Sequence, residues 1–121
     1  MPIDVADYLV RYHREITFGD DEPGDVFDRY HTTDFVMHND GTPLDRERLL
    51  AHVKPARRNA ESLEIDVHQV VVDGDQVAAR YTMTALMRRG GTIVTEIYAF
   101  GRLAPDGRLR SLDQITRSIP A

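Results

Sequence analysis

Residues 63–117 read LEIDVHQVVVDGDQVAARYTMTALMRRGGTIVTEIYAFGRLAPDGRLRSLDQITR, and this stretch decides the fold. It divides into LEIDVHQVVVD, QVAARYTMTALMRR, TIVTEIYAFGRL and RLRSLDQITR, all rich in the Val, Ile, Thr and Tyr residues that suit a pleated surface. Asp73-Gly74-Asp75, Gly90-Gly91 and Pro105-Asp106-Gly107 separate the segments. Links this short join only antiparallel neighbours, so the expectation is a long, curved antiparallel sheet. The residues before it then serve as cover.

In that N-terminal part, Asp4 is placed to cap a first helix, with Ile3 before it as a hydrophobic staple. Val5, Leu9, Tyr12 and Ile16 recur at helical spacing, and Gly19 is the expected stop. Beyond the acidic link containing Pro23 and Gly24, Asp25 is placed to cap a shorter helix that carries Val26, Phe27 and Tyr30. Phe35-Val36-Met37-His38 fits a short strand over residues 34–38, closed by the turn signal Asn39-Asp40-Gly41. Thr42-Pro43 resembles a helix start with Pro at the first position. Leu49, Leu50 and Val53 supply that helix's apolar face, and Pro55 should end or kink it. The order predicts an α+β protein, a strongly bent antiparallel sheet closed by about three N-terminal helices into a cone, as one domain over residues 1–121.

A chain of 121 residues buries a sufficient core without a staple, and the absence of cysteine removes disulfides, thiolate sites and Cys nucleophiles. Fifteen basic against twenty acidic residues give a formal charge of −5, which argues against a nucleic-acid partner. Arg57-Arg58 and Arg88-Arg89 adjoin element ends and read as solvated surface. The N-terminus lacks the apolar core of a signal peptide, and no apolar run is long enough to cross a bilayer. The expectation is a cytoplasmic protein with no membrane partner.

The order of elements and several local strings resemble the cone-shaped α+β family named after nuclear transport factor 2. Its members include ketosteroid isomerase, limonene epoxide hydrolase and polyketide cyclases of the SnoaL type. Arg11-Tyr12 followed by Gly19-Asp20 is similar to the first helix of ketosteroid isomerase, and implies that Tyr12 is an oxyanion-donating phenol. The string from Asp34 to Asn39 resembles the first strand of these enzymes, where Asn39 takes the position of the isomerase's general-base Asp. An Asn there fits the hydrolase pattern, in which it helps hold a water. Counting along the third long segment puts Ala99 where the isomerase has its second, hydrogen-bond-donating Asp. In the last strand the hydrolase's acidic position falls on Gln114, or on Asp113 if the register slips by one, and that slip decides whether a carboxylate faces the pocket. The family implies a ligand pocket inside the cone and a dimer through the outer sheet face.

Tyr12, Asn39, Gln114 and Asp113 are therefore the candidate catalytic residues, with Tyr30, Met37, His38, Arg80, Glu96 and Ala99 as candidate pocket lining. Strand alternation from Asn39 turns His38 away from the pocket, although its titration range suits a base. Arg80, Glu96 and Asp113 face either side, because Ala79, Tyr81, Met83 and Ala85 share one parity while Arg80, Thr82 and Thr84 share the other. His13, His31, His52 and His68 show no paired ligand spacing, so neither a metal nor a cofactor is expected. Tyr81, Met83 and Met87, with Ile93, Ile97 and Leu103, offer more apolar surface than one helical layer covers, which predicts a homodimer through the outer face. The functional expectation is a pocket for a small hydrophobic molecule. It is either the site of an isomerase, hydrolase or cyclase acting on a carbonyl or epoxide, or a non-catalytic binding or interaction module.

Overall fold

The computed structural model describes residues 4–120. Helix α1, Val5–Phe18, begins where the Asp4 carboxylate accepts the Asp7 amide at 3.0 Å. The staple expected of Ile3 lies outside the described residues. The helix ends at Gly19, whose amide donates to the Glu15 carbonyl at 3.0 Å. A Cβ at this position would lie 2.5 Å from the Glu15 oxygen, so the close approach requires glycine. Helix α2, Pro23–Tyr30, starts two residues before the expected Asp25 cap. Pro23 stands in its first turn, where a missing N–H loses no helical bond and the fixed φ already suits the helix.

Strand β1, His31–Asn39, is longer than expected and turns into β2, Thr42–Asp45. Thr42-Pro43 is therefore strand and not the start of a helix. β2 lies at the sheet's edge, where Pro43 lacks an amide that no neighbour needs. Asp45 caps α3, Arg46–Ala51, through the Arg48 amide at 2.9 Å. The expected third helix is split: α3 stops, and α4, Val53–Asn59, restarts with Pro55 in its first turn. Pro55 has no N–H to offer the Ala51 carbonyl, which accounts for the break.

β3, Ala60–Asp73, β4, Gln76–Met87, β5, Thr92–Leu103, and β6, Leu109–Ile119, follow as the four long strands. The six strands form one curved, unclosed sheet in the order β2-β1-β6-β5-β4-β3. Four of its ladders are antiparallel, whereas β1 runs parallel to β6. No short turn connects those two strands, so nothing local fixes their relative direction.

Helix α1 packs against α2, α4 and β3, and the helices cover one face of the sheet. Val77, Tyr81, Ile97, Ala99, Leu103 and Leu112 meet Val5, Tyr8, Leu9, Phe27 and Phe35 there in one core. Burying each of the two Phe rings is worth about 2–3 kcal/mol. The dimer expectation is corrected for most of its residues: Tyr81, Ile97 and Leu103 are buried under the helices and Met83 packs against the same core, while Ile93 stays exposed. The outer face instead exposes Val71, Tyr98, Phe100 and Ile115. No helix among the described residues is long and apolar enough to cross a membrane.

Candidate functional site

The ladder registers settle which side chains share the helix-covered face. Asn39 pairs with Gln114, Gln114 with Ala99 and Ala99 with Ala79, making one row across β1, β6, β5 and β4. Ala99 is buried, so the whole row belongs to the covered face. The Gln114 amide donates to Asn39 Oδ1 at 2.9 Å, while its own Oε1 is buried without a partner among the described residues. Asp40 holds this end of β1 in place. Its φ is 50°, its amide donates to the Gln114 carbonyl at 2.9 Å, and its carboxylate accepts the Thr116 amide at 2.8 Å and the Thr116 hydroxyl at 2.5 Å. The Thr116 bonds keep the Asp40 carboxyl below its ordinary range. Asn39 and Gln114 are thus set side by side by the backbone before any ligand arrives.

Beside this row lies an aromatic cluster. Tyr12 is half-buried, stacked on Tyr8 with ring centres 5.5 Å apart and edge-on to Tyr30 and His31 at 5.6 and 4.7 Å. Its hydroxyl makes no hydrogen bond among the described residues. Burial raises its pKa, so at neutral pH the phenol is a donor and not a base. Tyr30 sits at the rim and donates to Glu15 Oε2 at 2.5 Å; burial first, then this bond, raise its pKa to about 12. Met37 faces inward and packs against the core.

Tyr8 and His31 were not singled out by sequence, yet they form the most buried polar pair described. The His31 Nδ1–H donates to the Phe27 carbonyl at 2.9 Å, which leaves Nε2 to accept the Tyr8 hydroxyl at 2.7 Å. Burial pushes His31 down to about 4 and Tyr8 well up, so both are neutral near pH 7. Tyr8 occupies the same helical stripe as Val5 and Tyr12, and that spacing was the available signal. Nothing local marks His31, whose position comes from the end of α2. His13, bonded to the Leu9 carbonyl at 2.5 Å, is likewise lowered by burial.

The remaining candidates lie on the opposite face. Asp113 is 71 % exposed and stands 3.2 Å from His38, so neither reaches the covered face and Asp113 is removed from the candidate catalytic set. Gln114, not Asp113, is the inward residue. Arg80 lines an outer groove of about 320 Å³ with Gln69, Val71, Tyr98 and Phe100. Glu96 also faces out. Partial burial would raise its pKa, but the Arg117 guanidinium, 3.0 Å away, holds it below the usual carboxylate range. Neither Asp113 nor Glu96 shares the parity of Gln114 and Ala99, so no carboxylate of β5 or β6 faces inward.

The covered face therefore offers neutral phenols, a neutral imidazole and an amide pair. It can donate hydrogen bonds to a carbonyl, epoxide or water, but the Asn39–Gln114 row itself carries no carboxylate to move a proton. A partly open void of about 20 Å³, room for one water, lies among Val5, Tyr8, Leu9, Val77, Ala79 and Ala99, and Tyr12, Asn39 and Gln114 do not line it.

Comparison with known proteins agrees with this architecture. The structure resembles IdmH, a candidate polyketide cyclase from Streptomyces antibioticus, with a TM-score of 0.72 and 19% identity over 94% of this chain and 92% of that one. A candidate polyketide cyclase from Acidithiobacillus ferrooxidans gives a TM-score of 0.69 and 22% identity, covering 96% and 91%. A protein of ketosteroid isomerase-like fold from Catenulispora acidiphila, in complex with trimethylamine, gives 0.66 and 10%, covering 94% and 85%. At these identities the likeness shows the cone fold alone. An uncharacterised protein of Schizosaccharomyces pombe is 28% identical over 85 residues, or 70% of this chain, and the match spans 65% of that protein's length. The profile of the SnoaL-like domain matches residues 9–112, and the chain belongs to the SnoaL-like domain family.

Proposed function

We propose that this chain, as a single domain, binds a small and mainly apolar molecule through one oxygen function on the helix-covered face. The buried, unpartnered Gln114 Oε1 beside Asn39 is the observation that carries this reading. A buried acceptor without a donor costs about 1–3 kcal/mol, and a ligand hydroxyl or a held water relieves that cost. Tyr12 supplies a free donor, while Met37, Leu50 and Met83 at the edge of the core adapt to the ligand's shape. Structural neighbours described as candidate polyketide cyclases, and one that holds trimethylamine, support a small-molecule site. The chemistry open to such a site is polarisation of a carbonyl or epoxide by Tyr12, with a water held by the amides. With amides in place of a carboxylate in the Asn39–Gln114 row, binding is favoured over isomerase-type proton transfer. A cytoplasmic location belongs to the same proposal, supported by the absence of cysteine.

The test is nuclear magnetic resonance with a panel of small phenols and cyclic ketones, following the side-chain amides of Asn39 and Gln114. Saturable shifts are expected in the wild type. Gln114→Met should weaken binding roughly tenfold; it removes the orphan acceptor and also the donor to Asn39 Oδ1, two opposing effects that should leave the melting temperature little changed. A panel that leaves both amides unmoved, or equal affinity in the variant, removes the reading.

The homodimer through the outer face is part of this proposal, now on different residues. Phe100 and Ile115 are 70% and 62% exposed, and with Tyr98 and Val71 they make an apolar surface of the kind that a second copy covers. Sedimentation should show a dimer at micromolar concentration, converted to monomer by Phe100→Asp with Ile115→Asp. A wild type that sediments only as monomer would count against it.

A further inference from the structure

The two arginine pairs read from the sequence as separate stretches of solvated surface are brought together by the fold. α4 ends at Asn59, and the first residue of β3, Ala60, pairs with Met87 at the end of β4. The Asn59 carbonyl accepts the Arg88 amide at 2.9 Å, tying the α4–β3 junction to the turn between β4 and β5. Arg58, Asn59, Arg88 and Arg89 consequently line one depression of about 380 Å³. Arg57 is turned elsewhere: its guanidinium donates to the carbonyls of Ile16 and Asp21 at 2.9 and 3.0 Å and anchors α4 to the end of α1.

Three arginines lining one hollow concentrate positive charge there, which favours an anion among them. None of the described ion pairs engages Arg58, Arg88 or Arg89. Glu61, the nearest carboxylate in sequence, lines a separate depression with Arg14, Phe18, Ser62 and Leu63. Gly90 and Gly91 follow Arg89 with φ of 114° and 76°, and open space lies where their side chains would be. A ligand can therefore approach the turn's backbone directly.

We propose that this hollow binds the phosphate monoester or pyrophosphate group of a small soluble molecule. Guanidinium forks match phosphate oxygens two at a time, and the Asn59 amide adds a neutral donor. A dianion suits three cations better than a single carboxylate does. The volume leaves room for part of the molecule that carries the phosphate. An extended polyanion is the poorer fit, because the patch is short and the protein's net charge of −5 repels a long chain of phosphates. The site shares no residue with the amide row or the aromatic cluster.

Calorimetry with inorganic pyrophosphate at low salt tests the assignment. Saturable binding that weakens as salt rises is expected, with an affinity reduced at least about tenfold in the Arg88→Ala/Arg89→Ala double variant. These side chains are exposed and the Asn59 bond uses the backbone of Arg88, so the fold should survive, as the far-ultraviolet spectrum would show. Arg88→Lys/Arg89→Lys should recover part of the loss, and Arg102→Ala, on the outer face beside Asp75, should change nothing. Flotation with phosphatidylcholine vesicles containing phosphatidic acid separates a soluble phosphate from a lipid headgroup, and the protein is expected to stay unbound. Absence of saturable binding, an affinity unchanged in the double alanine variant, or capture by the vesicles would each overturn the proposal.

Discussion

Acidification from pH 6.5 to about 4 is expected to remove about 3 kcal/mol of stability through His31, and a His31→Phe variant should lack that component. The imidazole is 1 % exposed and neutral, with Nε2 accepting from Tyr8 and Nδ1–H donating to Phe27. Its folded pKa lies below its unfolded value of 6.5, so the unfolded chain binds a proton first. The contribution is fully present above 6.5, falls as the pH drops through the window, and is gone below about 4. Asp34, Asp40, Glu96 and Asp106 also have lowered pKa values, and what they contribute above the carboxylate range is lost as pH falls through their folded values. Those groups are common to both proteins and cancel in the difference. Phe keeps the ring against Phe27, 4.2 Å from centre to centre, and the Phe27 carbonyl keeps the His31 backbone amide as donor. Urea denaturation across the window is the measurement. Parallel pH profiles for wild type and variant would show that His31 is not held neutral.

Much of the fold was legible because it rests on local signals. The Gly-marked turns between 73 and 107 forced antiparallel neighbours, and the Asp4 and Gly19 ends of α1 follow from capping alone. Thr42-Pro43 misled because Pro suits both a helix's first turn and a sheet edge, and only the pairing of β2 with β1 distinguishes them. The parallel partnership of β1 with β6 joins residues about 75 positions apart, as in the Gln114–Asn39 bond, and no local pattern encodes it.

For the site, Tyr12, Asn39, Gln114 and Ala99 all fall on or beside the covered face, while Asp113, His38, Arg80 and Glu96 do not. The division follows strand parity, which a single sequence leaves undecided when both parities of a strand carry polar and apolar residues. On β4 the apolar parity of Ala79, Tyr81 and Met83 goes under the helices, and that choice carries Arg80 outward through the β4–β5 register. Tyr8 and His31 come from elements 23 residues apart, and their meeting depends on how α1 and α2 cross.

The second large effect concerns chemistry. Wild-type protein should show no efficient isomerisation of a Δ5-3-ketosteroid, and Asn39→Asp should gain activity over a very low background. That reaction moves a proton between two carbons and needs a carboxylate as carrier. Asn39 faces inward in the row with Gln114 and Ala99 and has no charge to offer. Asp113 cannot substitute, since it points to the outer face beside His38. An Asp at 39 would still accept the Gln114 amide through the oxygen that now does so, so the substitution supplies a base without dismantling the row. Even then, Ala99 provides no second donor at the developing enolate, and loss of one such donor lowers turnover by about a hundredfold or more. The small void of about 20 Å³ is a further obstacle, because a steroid must displace the side chains bordering the core. Ultraviolet absorbance of the conjugated product measures both proteins in one assay. Appreciable wild-type turnover would mean that a carboxylate reaches the covered face, contrary to the observed register. Activity confined to the Asp variant would put position 39 and the Tyr12 phenol within reach of one substrate. No activity in either would leave the covered face as a binding surface whose ligand is smaller than a steroid.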